Sequence, residues 1–160
     1  MSDVNDFLFS GGAKSFPFEN IGDVVRGTIT HMEKRQQTGL EDNKPLFWDD
    51  GSPRMLAVFT LQTALRDDPD DDGLRSIYAK GGRYEIAEGE GMSMKDAIAQ
   101  AVRDAKAKTV ELGDELAVGF TGRAKAKKGY TAAKLYAASF RKGTKPMSAD
   151  DLFDDMSAVQ

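Results

Sequence analysis

The sequence predicts a mainly β fold, a small five-stranded barrel with one helix between its third and fourth strands. Three observations predict it. Five segments of strand length show period-two alternation or enrichment in β-branched residues. One segment, following Ser93, instead repeats its apolar residues at helical steps. Gly27 lies inside the longest strand pattern, where a barrel strand has to bend or bulge.

Residues 1–20 read as an irregular arm, with Gly11-Gly12 for freedom and Phe16-Pro17-Phe18 to pin it to the domain. Ile21 to Gln37 reads as a long first strand, β-rich over Val24–Met32. Residues 38–53 hold Gly39, Pro45, Gly51 and Pro53 and read as a loop around Phe47-Trp48. In the second strand, Met55 to Leu65, the residues Met55, Ala57, Phe59 and Leu61 share one face. An acidic turn over 67–72 leads to the third strand, Leu74 to Lys80, where Arg75, Ile77 and Ala79 alternate with Ser76, Tyr78 and Lys80. Residues 83–92 read as a loop. Ser93 is an N-cap with Asp96 three residues on, and Met94, Ala97, Ile98, Ala101, Val102 and Ala105 form one helical face. The fourth strand is Glu115 to Thr121 and the fifth Lys134 to Arg141, joined by a basic loop. Strand, strand, strand, helix, strand, strand is the element order of the OB-fold. The expected organisation is therefore an arm at 1–20, an OB-fold domain at 21–146 and an acidic disordered tail at 147–160.

Composition narrows the chemistry. The 160 residues include no Cys and one His. That removes disulfides, thiolate nucleophiles, cysteine-ligated zinc and multi-histidine metal sites. No apolar run has the length of a membrane span, and the acidic start is unlike a secretory or transit signal, so a soluble cytoplasmic protein without a membrane partner is expected. The net charge of −4 is a sum of opposed regions. Residues 73–145 hold 15 Lys/Arg against 8 Asp/Glu, whereas residues 1–72 hold 7 against 14. Asp150, Asp151, Asp154 and Asp155 carry the remaining acids. The basic run Arg123-Ala124-Lys125-Ala126-Lys127-Lys128-Gly129-Tyr130, followed by Lys134, suggests a basic functional surface with an acidic appendage.

Catalytic constellations are weak. Asp68-Pro69-Asp70-Asp71-Asp72-Gly73 matches the start of an EF-hand loop, but the twelfth position is Ala79 instead of a bidentate Glu. Gly11-Gly12-Ala13-Lys14-Ser15 lacks the spacing of a phosphate loop. His31 sits alone in a strand, and Asp49, Asp50 and the 67–72 carboxylates have no diagnostic spacing for a two-metal nuclease. The chain is expected not to be an enzyme and to need no cofactor or metal.

Nucleic-acid chemistry is better supplied. An OB barrel binds on the outer face of its second and third strands, flanked by the 1–2 and 4–5 loops. That face carries Tyr78 and Lys80, the 1–2 loop Trp48, and the 4–5 loop Arg123, Lys125, Lys127, Lys128 and Tyr130, with Lys134 beyond it. Cations track phosphates while aromatic faces stack bases irrespective of sequence. Lys80 and Arg75 assist if they flank the groove. In the tail, Asp150, Asp151, Leu152, Phe153, Asp154 and Asp155 alternate acid with apolar groups, a pattern suited to a basic, apolar-floored pocket on a partner or to covering the chain's own basic groove.

The chain resembles the single-stranded DNA-binding proteins of phages infecting actinobacteria. The matching stretches are Ile21-Gly22-Asp23-Val24-Val25-Arg26-Gly27-Thr28-Ile29, Trp48-Asp49-Asp50-Gly51, Leu61-Gln62-Thr63 and the acidic turn into Gly73-Leu74-Arg75. The helix and Glu115–Gly122 with its basic loop also match, so that the resemblance covers residues 10–145. It implies an OB-fold that coats single-stranded DNA during phage replication or recombination in the bacterial host cytoplasm. The acidic end is similar in kind to the tails that dock replication or recombination proteins, although Met156-Ser157-Ala158-Val159-Gln160 follow Phe153. Arg83–Gly91 is a longer insert than the resemblance implies, either a longer loop or a hairpin meeting DNA through Arg83 and Tyr84. The other readings are a non-enzymatic protein-interaction adaptor on a small β-barrel and, third, a metal-dependent nuclease. Homo-oligomerisation stays open.

Overall fold

The computed structural model describes residues 13–39, 41–126 and 132–143. Lys127, Lys128, Tyr130 and the acidic residues from Asp150 to Asp155 lie outside them, as does most of the predicted arm.

The organising element is β2 (Val24–Gln36), rich in Val, Ile and Thr. Its first residues, Val24 to Thr28, pair antiparallel with β6 (Glu115–Ala124), and from Thr28 onward it pairs with β3 (Met55–Gln62). Gly27 stands where the strand changes partners. A Cβ there would lie 2.4 Å from the Gln62 carbonyl oxygen, so only glycine lets the two backbones approach. The bulge expected near Gly27 falls instead between Ile29 and His31, where the register with β3 shifts. The extra residue reverses which side chains face inward. Val25 and Ile29 point into the core before it; Met32 packs against the core after it, and His31, Glu33 and Arg35 turn outward.

β3 pairs with β4 (Leu74–Lys80), whose bounds match the sequence expectation. Residues 86–89, expected in a loop, form β5 (Ile86–Gly89) against the second half of β6. β7 (Lys134–Arg141) runs along the opposite edge of β6. Helix α1 (Met94–Asp104) starts at Ser93, whose hydroxyl oxygen accepts the Asp96 N–H at 3.2 Å. Its apolar face buries Met94, Ile98 and Val102 against Phe59, Ile77 and Phe120.

With the short strand β1 (Lys14–Ser15), the described residues form a curled seven-stranded sheet in the order β1-β4-β3-β2-β6-β5, with β7 on β6 and one helix filling the curl. The fold is mainly β with one helix, as expected, and it forms an open half-barrel in which the described residues do not complete a five-stranded barrel. β4 and β7, which closure would join, share no ladder among the described residues because each edge is occupied. β1 lies parallel on β4, opposite Arg75 and Ser76. Tyr136 of β7 exchanges both backbone hydrogen bonds with Met92, at 2.7 and 3.1 Å. The gap is bridged by the arm: the Phe16 N–H donates to the Ser76 carbonyl at 3.0 Å, and buried Phe18 meets Phe16 and Tyr136 edge-on.

Arg75 departs from its expected role. It shares the buried face of β4 with Ile77 and Ala79 and is 3% exposed, so it is not a groove cation. Its guanidinium donates to both oxygens of Asp71, at 3.0 and 2.6 Å, and also pairs with Asp67 at 3.2 Å. Asp71 accepts the Asp67 and Gly73 N–H groups as well. Asp71, which falls between the carboxylates spaced like the start of a calcium loop, thus binds an internal cation together with Asp67, while Asp68 and Asp72 accept the backbone N–H groups of Asp70 and Leu74. Arg75, followed by the Asp67 and Gly73 N–H donors, holds the Asp71 carboxyl well below the usual carboxylate range.

The bridge and the turn can each be tested. Phe18→Ala removes the ring that ties the arm to β7 and is expected to cost about 3 kcal/mol in urea unfolding; a change near zero refutes the bridging role. Because the folded Asp71 pKa is depressed, its contribution is present above roughly pH 4 and is lost as pH falls below the unfolded value. The urea-midpoint gap between the parent and Asp71→Asn is thus expected to be widest near neutrality and to narrow on acidification.

Candidate nucleic-acid interface

The outward row of β4 sets the site. Tyr78 is 40% exposed and Lys80 is exposed two residues on, as the alternation requires. Register adds a neighbour that sequence reasoning missed. Val58 stands opposite both Glu33 and Tyr78, and Leu56 opposite both Arg35 and Lys80. Arg35 therefore joins the outer face of Tyr78 and Lys80, bound to Glu33 through its Nε and, at 3.2 Å, its second guanidinium nitrogen. The Arg35 hydrogen bond chiefly holds the Glu33 carboxyl low, and Glu33 in turn raises Arg35. Only the bulge after Ile29 places Arg35 here, since unbroken alternation from Val25 would turn it inward.

A cleft of about 220 Å³ opens between β4 and β7, where the half-barrel is not closed. Tyr78, Lys80, Tyr84, Lys134 and Tyr136 line it, with Met94 of the helix. Three of the expected residues, Tyr78, Lys80 and Lys134, thus meet. Tyr136, which the sequence marks only as part of a strand, joins them; it is half-buried, and burial pushes its phenol up. The Lys134 Nζ donates to the Phe18 carbonyl and lies 5.5 Å from the centroid of the buried Phe120 ring. Arg123, its cross-strand partner, sets its guanidinium 5.0 Å from the same centroid. Lys125 pairs with Glu85 at 3.3 Å on the surface.

Trp48 lies elsewhere. The segment between β2 and β3 extends their hairpin through the bridges Thr38↔Pro45 and Phe47↔Pro53. A turn closed by the Gly51 N–H on the Trp48 carbonyl, with Gly51 at φ 87°, leaves Trp48 45% exposed at the tip. The Arg54 guanidinium sits 4.4 Å from the Trp48 ring centroid, and Trp48 lines a separate groove with Met32, Met55 and Val110. Trp48 and Tyr78 do not share a cleft.

The assembled chemistry is aromatic and cationic. Among the described residues no cluster of His, Asp or Glu could hold a metal ion, and no helix is long and apolar enough to cross a membrane. Comparison with protein-family models, curated proteins and solved structures finds no match to this chain.

Arg54→Ala uncovers one side of the Trp48 ring. Acrylamide is expected to quench the emission of this single tryptophan more strongly in the variant than in the parent; equal quenching would place the guanidinium away from the ring in solution.

Proposed function

We propose that the chain binds single-stranded DNA with little sequence preference, across the outer face of β3 and β4 and into the cleft between β4 and β7. The observation that carries this reading is the meeting of Tyr78, Tyr84, Lys80 and Lys134 at one opening. Exposed rings offer stacking surfaces for successive bases, and the ammonium groups lie beside them for phosphates. Duplex DNA keeps its bases stacked inside, so this combination favours a single strand.

The connectivity supports an OB-type reading of the half-barrel. The pairings β2 with β3, β3 with β4, β2 with β6 and β6 with β7 are among those such a fold uses, and the helix falls between its third and fourth long strands. OB-folds are partly open and bind oligonucleotides on the face that here bears Tyr78 and Lys80. The resemblance to phage single-stranded DNA-binding proteins agrees and suggests a role in phage replication or recombination in a bacterial cytoplasm. Arg123 and Lys125, with Lys127, Lys128 and Tyr130 outside the described residues, would extend the cationic track. Arg75 takes no part.

Fluorescence anisotropy of a labelled oligonucleotide tests the proposal. Single strands are expected to bind and duplex of equal length to bind far less. With about 4–6 phosphates neutralised, the log–log salt slope is expected to be roughly −3 to −4. Tyr78→Ala should cost about 1–3 kcal/mol of binding, and Lys80→Ala should flatten the slope by about 0.7. No binding at low salt removes the proposal and favours the adaptor reading. Binding unaffected by Tyr78→Ala moves the site off this face.

A further inference from the structure

On the side of the sheet that bears Ala57, Phe59 and Ala79, and reaching round its edge to Glu33 and Leu56, two adjoining hollows of about 630 and 370 Å³ share Ala57, Phe59, Ala79, Lys95 and Val110 in their linings but not Tyr78 or Lys80. They form one groove. It runs from Trp48 at the hairpin tip, over Met32 and Met55, to Ile98 and Val102 of α1. Its floor is core side chains that the curl leaves uncovered, and its rim is basic. Lys34 and Lys95 line it without a carboxylate partner among the described residues, and Arg103 and Lys108 stand at its far end. The one acid in its lining, Glu33, is bound to Arg35.

The described chain ends beside this groove. The Gly143 N–H donates to Asp114 at 2.9 Å, and the Lys142 ammonium binds Asp114 at 3.0 Å and the Thr109 carbonyl at 3.1 Å. Thr109 and the adjacent Val110 line the groove itself. Beyond Gly143 come Asp150-Asp151-Leu152-Phe153-Asp154-Asp155-Met156, four carboxylates interleaved with three apolar side chains. Phe153 is the tenth residue after Gly143, within at most roughly 33 Å of extended chain. The eleven-residue helix beside the groove is about 16 Å long.

We infer that this groove is the docking site of the chain's own acidic segment, with Leu152, Phe153 and Met156 on its apolar floor and the aspartates against Lys34, Lys95 and Lys108. Charge complementarity, an uncovered apolar floor and the exit of the chain at the groove's edge select this occupant. Tethering favours it further, because a segment ten residues away competes at high effective concentration. The site lies apart from the proposed DNA cleft, so the inference does not rest on DNA binding.

The test uses the full chain, isotope-labelled, without DNA. Leu152→Ser combined with Phe153→Ser is expected to shift the amide resonances of Ala57, Ala79 and Val110 and the Trp48 indole N–H. Those of Arg26 and Ala117, on another face of the sheet, should stay in place. Lys34→Glu with Lys95→Glu, which leaves the acidic segment intact, is expected to move the same groove resonances and to broaden or shift those of Leu152 and Phe153. Groove resonances that ignore the Leu152 and Phe153 substitutions overturn the assignment. Groove shifts in the parent that vanish on dilution also overturn it, because they assign the occupant to a second copy.

Discussion

One strand belonging to two halves of a sheet is the constraint on which the structure depends. Thr28 of β2 pairs with Glu115 on one side and Gln62 on the other, so β2 leaves β6 and joins β3 within a single residue. The two halves would collide at that point if Gly27 had a side chain. Once the exchange is made, the sheet must curl, and Val25, Ile29, Leu61, Val118 and Phe120 are brought into one buried cluster. The helix then has a concave floor to fill. Burial of this apolar surface supplies the main driving force, but the handover at Thr28 decides its shape.

The curl stops short of closure because the two edges that could meet have other partners. The arm takes part of β4, and Met92 takes part of β7. The remaining gap is where tyrosines from β4, β7 and the segment before β5 come together with two lysines. An incomplete ladder thereby becomes a surface with concave relief and charge. On the inner side the same incompleteness leaves Phe59, Ala79 and the helix face only partly covered, which is the origin of the long groove.

Local signals were legible and non-local ones were not. Alternation located Leu74–Lys80 and Lys134–Arg141 to the residue, and the spacing of Ser93 and Asp96 located the helix start, because each rests on neighbours in the chain. The alternation of β4 also turned Tyr78 and Lys80 outward correctly. The same alternation placed Arg75 with Ile77 and Ala79, yet its charge argued for a surface role. Only the folded turn shows Asp71 waiting for it. The bulge after Ile29 carries no glycine or proline to announce it, so Arg35 could not be assigned a face. Residues 13–18 read as an arm, but the strand they would lie beside, about 60 residues away, was beyond any periodicity argument.

The arm's attachment has a kinetic side. Lys134 and the Phe18 carbonyl are 116 residues apart, and β1 adds itself to β4 in parallel over only two residues. The first contact closes a longer loop than any ladder of β2, β3, β4 or β6, and the second gains little local support from its two residues. They belong at the end of folding, after β2, β3, β4 and β6 have formed their antiparallel ladders. By the same reasoning they are the first to open in the native state, at a free energy well below global unfolding. Opening of the arm alone would widen the mouth between β4 and β7 and leave the ladders of β3 and β6 intact, so the Phe16 amide proton, bound to the Ser76 carbonyl, is expected to exchange sooner than those of β3 or β6.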